Sequence, residues 1–107
     1  MIRPATQDDM PSLLNLAEGF IDEGHWDVTY DEEVATYHYM QYINYPTGDV
    51  LVAMEGGTLM GMVMVVQTPE FMKKPFGYVA KFYVIRRFRR ADVSRKLIAA
   101  MIDWFTQ

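Results

Sequence analysis

Four arginines fall within five positions: Arg86, Arg87, Arg89 and Arg90. They follow Val79, Ala80, Phe82, Tyr83, Val84 and Ile85, a β-branched and aromatic run that reads as a strand. Beyond them Val93, Leu97, Met101 and Phe105 recur at helical spacing, with Asp92 as N-cap candidate and Arg95 and Lys96 in the first turn. A basic loop that feeds a helix N-terminus suits an anion, because the first helical amides are unpaired and the dipole favours negative charge there. The chemistry on offer is a phosphate or pyrophosphate cradle. A solvated basic turn would have the same composition. Nucleic acid is the weaker reading: the bases crowd into one loop, few aromatics are interleaved, and the pI is about 5.0.

Other reactive groups are sparse. There is no cysteine, which excludes disulfides, thiolate catalysis and thiolate metal sites, and a reducing cytoplasm is the expected compartment. The two histidines, His25 and His38, are thin material for a metal centre, so no metal is expected. Ser12 and Ser94 sit in no nucleophile-elbow context, and Walker, GxGxxG and HExxH patterns are missing. The paired acids Asp8-Asp9 and Glu32-Glu33 read as partners of helix dipoles. His38 reads as a partly buried helix histidine sooner than as a base. Charge is divided along the chain. Residues 1–72 hold twelve acids and one base, Arg3, whereas residues 73–107 hold nine bases and two acids. Such a chain can offer a positive face to an anionic ligand while its net charge stays at −4.

These residues need a scaffold, and 107 residues suffice for one domain with one modest core. Half the residues are apolar, so the chain is globular, and no apolar run is long enough to span a bilayer. The N-terminus lacks the basic-then-apolar order of a signal peptide. Ile2 to Ala5 is a short strand candidate. Thr6 then caps a helix whose apolar face is Leu13, Leu16, Ala17, Phe20 and Ile21 and whose end is Gly24. After a loop from His25 to Tyr30, Thr29 or Asp31 caps a second helix over Glu32 to Asn44. Asp49 to Glu55 and Thr58 to Gln67 form a hairpin about Gly56-Gly57. The unbroken apolar run Met62 to Val66 predicts a strand covered on both faces, and Gly61 predicts a bulge or a close backbone approach. Nine methionines suggest an adaptable core or contact surface. The resulting order is β-α-α-β-β-β-α: an α+β fold of the α/β sandwich type, a mostly antiparallel four-stranded meander flanked by three helices.

Element order and the Val84-to-Leu97 segment together resemble the GNAT N-acetyltransferase superfamily. Ile2-Arg3-Pro4-Ala5-Thr6-Gln7-Asp8-Asp9-Met10-Pro11-Ser12-Leu13 looks like the family's first strand and helix, and Asp49 to Met62 looks like its second and third strands. The family's acetyl-CoA motif would fall on Val84 and on Arg89, Arg90, Ala91, Asp92, Val93 and Ser94. The resemblance implies that Phe82, Tyr83 and Val84 hold the pantetheine and that Arg89 through Arg95 hold the pyrophosphate. It also implies an amine acceptor entering beside His25, Trp26, Asp27 and Tyr30, near the acids Asp31, Glu32 and Glu33. Candidate bases are Glu55, Glu70, Tyr83 and His25, with Tyr83 and Glu55 put first.

Three departures stand out. Asp92 and Ser94 replace two loop glycines that would let backbone approach phosphate freely. Lys81 stands where the family often has a glutamate base, and a lysine serves as a base only if burial makes it much less basic. Gln107 falls inside the third helix, so one GNAT-like domain over residues 1–107 without the family's C-terminal strands is expected. Strand Tyr78 to Val84 would then keep an open apolar edge, which predicts a homodimer or a partner supplying a strand. The leading expectation is an acetyl-CoA-dependent N-acyltransferase acting on a primary amine. A GNAT-like binding or structural module that has lost turnover is the alternative, and an anionic-partner binder is the third.

Overall fold

In the computed structural model, which describes residues 1–24, 28–68, 76–89 and 92–106, the Gly56-Gly57 turn sets the register of the sheet. Both glycines take positive φ, 57° and 81°, the conformation a tight two-residue hairpin needs. The turn joins β2 (Gly48–Glu55) to β3 (Thr58–Thr68). β1 (Ile2–Pro4) adds to β2 and β4 (Phe76–Val84) adds to β3, giving an antiparallel sheet of order β1-β2-β3-β4.

Three helices cover this sheet: α1 (Met10–Gly24), α2 (Glu32–Asn44) and α3 (Val93–Phe105). One face carries Val50, Val52, Met62 and Met64 beneath α1 and α2, packed with Leu13, Leu16 and Tyr39. The other carries Leu51, Ala53, Val63 and Val65 beneath α3, packed with Val93 and Leu97. β3 is therefore buried on both sides from Leu59 to Val66, as its unbroken apolar run predicts.

Two bulges interrupt the pairing. Ala53 faces Gly61 and Met54 faces Leu59, so Met60 is the extra residue in β3. Lys81 faces Met64 and Val79 faces Val65, so Ala80 is the extra residue in β4. Beyond Ala80, Lys81 and Tyr83 face the α1–α2 layer while Phe82 and Val84 face α3. Gly61 is a close approach: a Cβ there would lie 3.0 Å from the Tyr83 carbonyl oxygen and 3.2 Å from Leu97 Cδ1. The Asp31 cap is present, its Oδ1 accepting from the Val34 amide at 3.0 Å. The expected Asp92 cap is not: its carboxylate makes no capping bond and lies 3.7 Å from the exposed Arg95 guanidinium. The Asp92 backbone, at φ −74° and ψ 24°, is not in the extended conformation that aims an N-cap side chain at the first helical amides.

Candidate active site at the β4–α3 junction

Tyr83 leaves the last turn of β4 on the α1 side. Its ring packs edge-on against Phe20, 5.3 Å between centroids, and its hydroxyl donates to Glu23 Oε2 at 2.7 Å. Arg89 reaches the same carboxylate from the following loop, with Nη1 2.7 Å from Oε1 and Nη2 2.9 Å from Oε2. Its Nε donates to the Val84 carbonyl at 3.0 Å, and the guanidinium lies 5.4 Å from the Tyr83 ring centroid. A guanidinium has five N–H donors, and these three bonds use three of them among the described residues. The Arg89 bond, then the Tyr83 hydroxyl, hold the Glu23 carboxyl below its usual range. Burial, then the Glu23 hydrogen bond, push the Tyr83 phenol up.

Arg86, Arg87 and Arg95 of the junction face solvent. Arg86 and Arg87 lie on a single 3-10 turn, Arg86–Phe88, and the Arg87 guanidinium rests 4.8 Å from the Phe88 ring centroid. Val93 is buried, Ser94 is half-buried and Arg95 is exposed at the start of α3. With no Asp92 side-chain cap, the first amides of α3 are left without that competitor.

A cavity of about 390 Å³ opens between α1, α2 and the sheet, on the same face as Tyr83. Leu16, Phe20, Ile21, Met62 and Met64 give it an apolar wall, and Tyr30, His38 and Lys81 add polar groups. Tyr30 donates to the Leu14 carbonyl at 3.3 Å. Its phenol is pushed up first by burial, then by the charges of Glu32, Glu18 and Asp31. Phe20 is the bridge between cavity and junction, since it lines the one and packs on Tyr83 of the other.

The structure thus brings Phe82, Tyr83, Val84, Arg89, Asp92, Val93, Ser94 and Arg95 to one end of β4 and sets Tyr30 in the adjoining cavity. Glu55 lies on the α3 side, lining a small depression with Asp92, Val93 and Lys96, so it adjoins the start of α3 but stands on the opposite face from Tyr83. The burial on which a basic Lys81 depends is also missing, because Lys81 is exposed. His25, Trp26, Asp27, Glu70, Arg90 and Ala91 lie outside the described residues. Glu23 was not singled out from sequence. Its one local signal is an acid in the last turn of α1, where the dipole disfavours it and a distant cation is called for.

Among the described residues there is no group of three or more His, Cys, Asp or Glu placed to hold a metal ion. No described helix is long and apolar enough to cross a membrane.

A helix-covered antiparallel meander with a bulged β4 leading through a basic turn into α3 is an α+β fold. The model of the acetyltransferase (GNAT) family matches residues 13–107, and the chain belongs to that family. A search of curated proteins finds no match. Among solved structures, an aminoglycoside acetyltransferase from an uncultured soil metagenomic sample, in complex with sisomicin, is 22% identical, with 99% of this chain and 69% of that one covered and a TM-score of 0.74. AAC(6')-Iy, in complex with the bisubstrate analogue CoA-S-monomethyl-acetylneamine, is 19% identical, with 99% and 71% covered and a TM-score of 0.78. A ribosomal-protein-alanine N-acetyltransferase from Brucella melitensis biovar Abortus 2308 is 20% identical, with 96% and 69% covered and a TM-score of 0.79. At these identities the likeness is one of fold.

Proposed function

We propose that this chain is an N-acetyltransferase that takes acetyl-CoA as co-substrate and acetylates a primary amine. The observation that carries the proposal is a basic junction after β4 with an apolar cavity alongside it, Phe20 lining the cavity and packing on Tyr83 of the junction. The junction fits an anionic carrier: Arg86, Arg87 and Arg95 are exposed, and the α3 amides lack a side-chain cap. Arg89 to Arg95, with Arg90 and Ala91 among them, would hold the pyrophosphate, and Phe82 to Val84 the pantetheine.

Acetyl-CoA supplies a thioester carbonyl that an amine can attack, so that a C–N bond forms as the C–S bond breaks and CoA leaves as thiolate. Strand-end amides near Phe82 to Val84 polarise that carbonyl. The amine enters through the cavity beside Tyr30 and α2, and orientation there supplies much of the rate. Tyr83 is the nearest proton carrier on β4, and its hydroxyl is already oriented by Glu23. Lys81 lies in the cavity wall, where a fixed cation disfavours the ammonium form of the incoming amine.

The pairing of Arg89 with Glu23 favours a second reading, a module that binds acetyl-CoA without turnover. Release of free thiol from acetyl-CoA in the presence of amines decides between them, and a chain without cysteine gives no background in that assay. Amine-dependent thiol release supports the enzyme. Binding of acetyl-CoA with no release from any amine supports the module.

β4 has one paired edge among the described residues, and Val79 and Phe82 on it are exposed. We place a second copy of the chain there, because an open apolar edge is a template for strand pairing.

A further inference from the structure

We propose that the amine acceptor carries a compact apolar body, aromatic or branched aliphatic, with one polar group at the end remote from the amine. The inference rests on the acetyl-transfer reading above and names the acceptor class for it. The cavity volume of about 390 Å³ sits near the lower end of the roughly 300–1,000 Å³ of small-molecule sites. At about 30 Å³ per water-sized unit, that is room for on the order of ten heavy atoms. Leu16, Phe20, Ile21, Val34, Met62 and Met64 form most of its wall and suit an apolar body, while Thr29, Tyr30, Asp31, His38 and Lys81 are too few and too spread to meet the many hydroxyls and ammoniums of an aminoglycoside. The two methionines can reshape around a ring or a branched chain.

Tyr39 supplies the independent polar signal. It is 4% exposed, lines the cavity, and makes no hydrogen bond among the described residues. Because Tyr39 lines the cavity, a ligand group that bonds to its hydroxyl adds a hydrogen bond to the apolar contact. Around Tyr30, Glu18, Asp31 and Glu32 make the approach acidic, which draws in a cationic amine before its apolar body is buried.

Tyramine, phenethylamine and sisomicin distinguish the classes, read through the ε-methyl NMR signals of Met62 and Met64. Tyramine is expected to shift both signals to saturation, phenethylamine to shift them with about fivefold weaker affinity, and sisomicin to leave them in place. Tyr39→Phe should remove the advantage of tyramine over phenethylamine and keep the fold. Ala35→Trp, which fills the cavity, should abolish both amine responses while calorimetric acetyl-CoA binding persists. Methyl shifts from sisomicin alone, or amine binding that survives Ala35→Trp, would overturn the proposal. So would acetyl-CoA binding with no amine response, which leaves the transfer reading standing. Tyramine binding with no thiol release removes the transfer reading and keeps the ligand class.

Discussion

Asp9 is 8% exposed and ionised because Arg3 reaches both its oxygens, at 2.7 and 2.8 Å, and the Thr6 amide donates to it at 2.8 Å. The Arg3 bond leads in holding its pKa at about 2, against an ordinary 3.8. A folded pKa below the unfolded one gives stability that is present above the unfolded value and lost as pH falls through the folded one. About 2 kcal/mol should therefore be present at neutral pH and decline between roughly pH 4 and 2. Denaturant melts of the wild type and Asp9→Asn across that range check this: the two should differ at pH 7 and converge at pH 2. At the other end of α1, Glu23→Gln should bring the Tyr83 phenol back towards its ordinary range, because the Glu23 contribution goes and the burial contribution stays. A pH titration of the Tyr83 ring signals in both proteins reads this directly. Arg3–Asp9 is six residues apart and Glu23–Arg89 sixty-six. The residues of both pairs stand out in sequence as charges, but only folding chooses their partners, and Asp9 reads from sequence as nothing more than a dipole partner.

At the scale of elements, β3 and α3 meet at Gly61. A methyl there would press on the Tyr83 carbonyl, Val84 and Leu97 together, two of which belong to β4 and one to α3. Gly61→Ala should cost about 1–3 kcal/mol, since backbone on one side and a buried Leu97 on the other leave little room to yield. Thermal melts test it, and a melting temperature equal to the wild type's would contradict the close packing. Elements were the most legible level of this sequence. The bounds of α2, the Gly56-Gly57 turn and the doubly covered β3 follow from caps, glycine chemistry and apolar runs, all of them local signals. The missing Asp92 cap was not legible, because it turns on the Asp92 backbone, which is not extended, and a single torsion leaves no periodic trace. Nor was the cavity, which exists only where α1, α2 and β4 fail to close on one another.

For the molecule as a whole, order of elements was a better guide than any motif. The departures at Asp92, Ser94 and Lys81 weaken each local signature, while the β-α-α-β-β-β-α order is kept in full. The same view makes the β4 edge a prediction: sedimentation should show a dimer that Phe82→Lys converts to monomer, because a charge on an exposed edge blocks pairing. A wild-type monomer at high concentration would contradict it. The central claim is that the β4–α3 junction holds acetyl-CoA, and calorimetric titration with acetyl-CoA tests it most directly. The wild type should bind, Arg89→Ala/Arg90→Ala should bind roughly tenfold or more weakly through lost charge-assisted bonds, and Asp9→Asn, remote from the junction, should bind as the wild type does. No heat of binding from a folded wild type, or equal affinity in the double variant, would contradict the account.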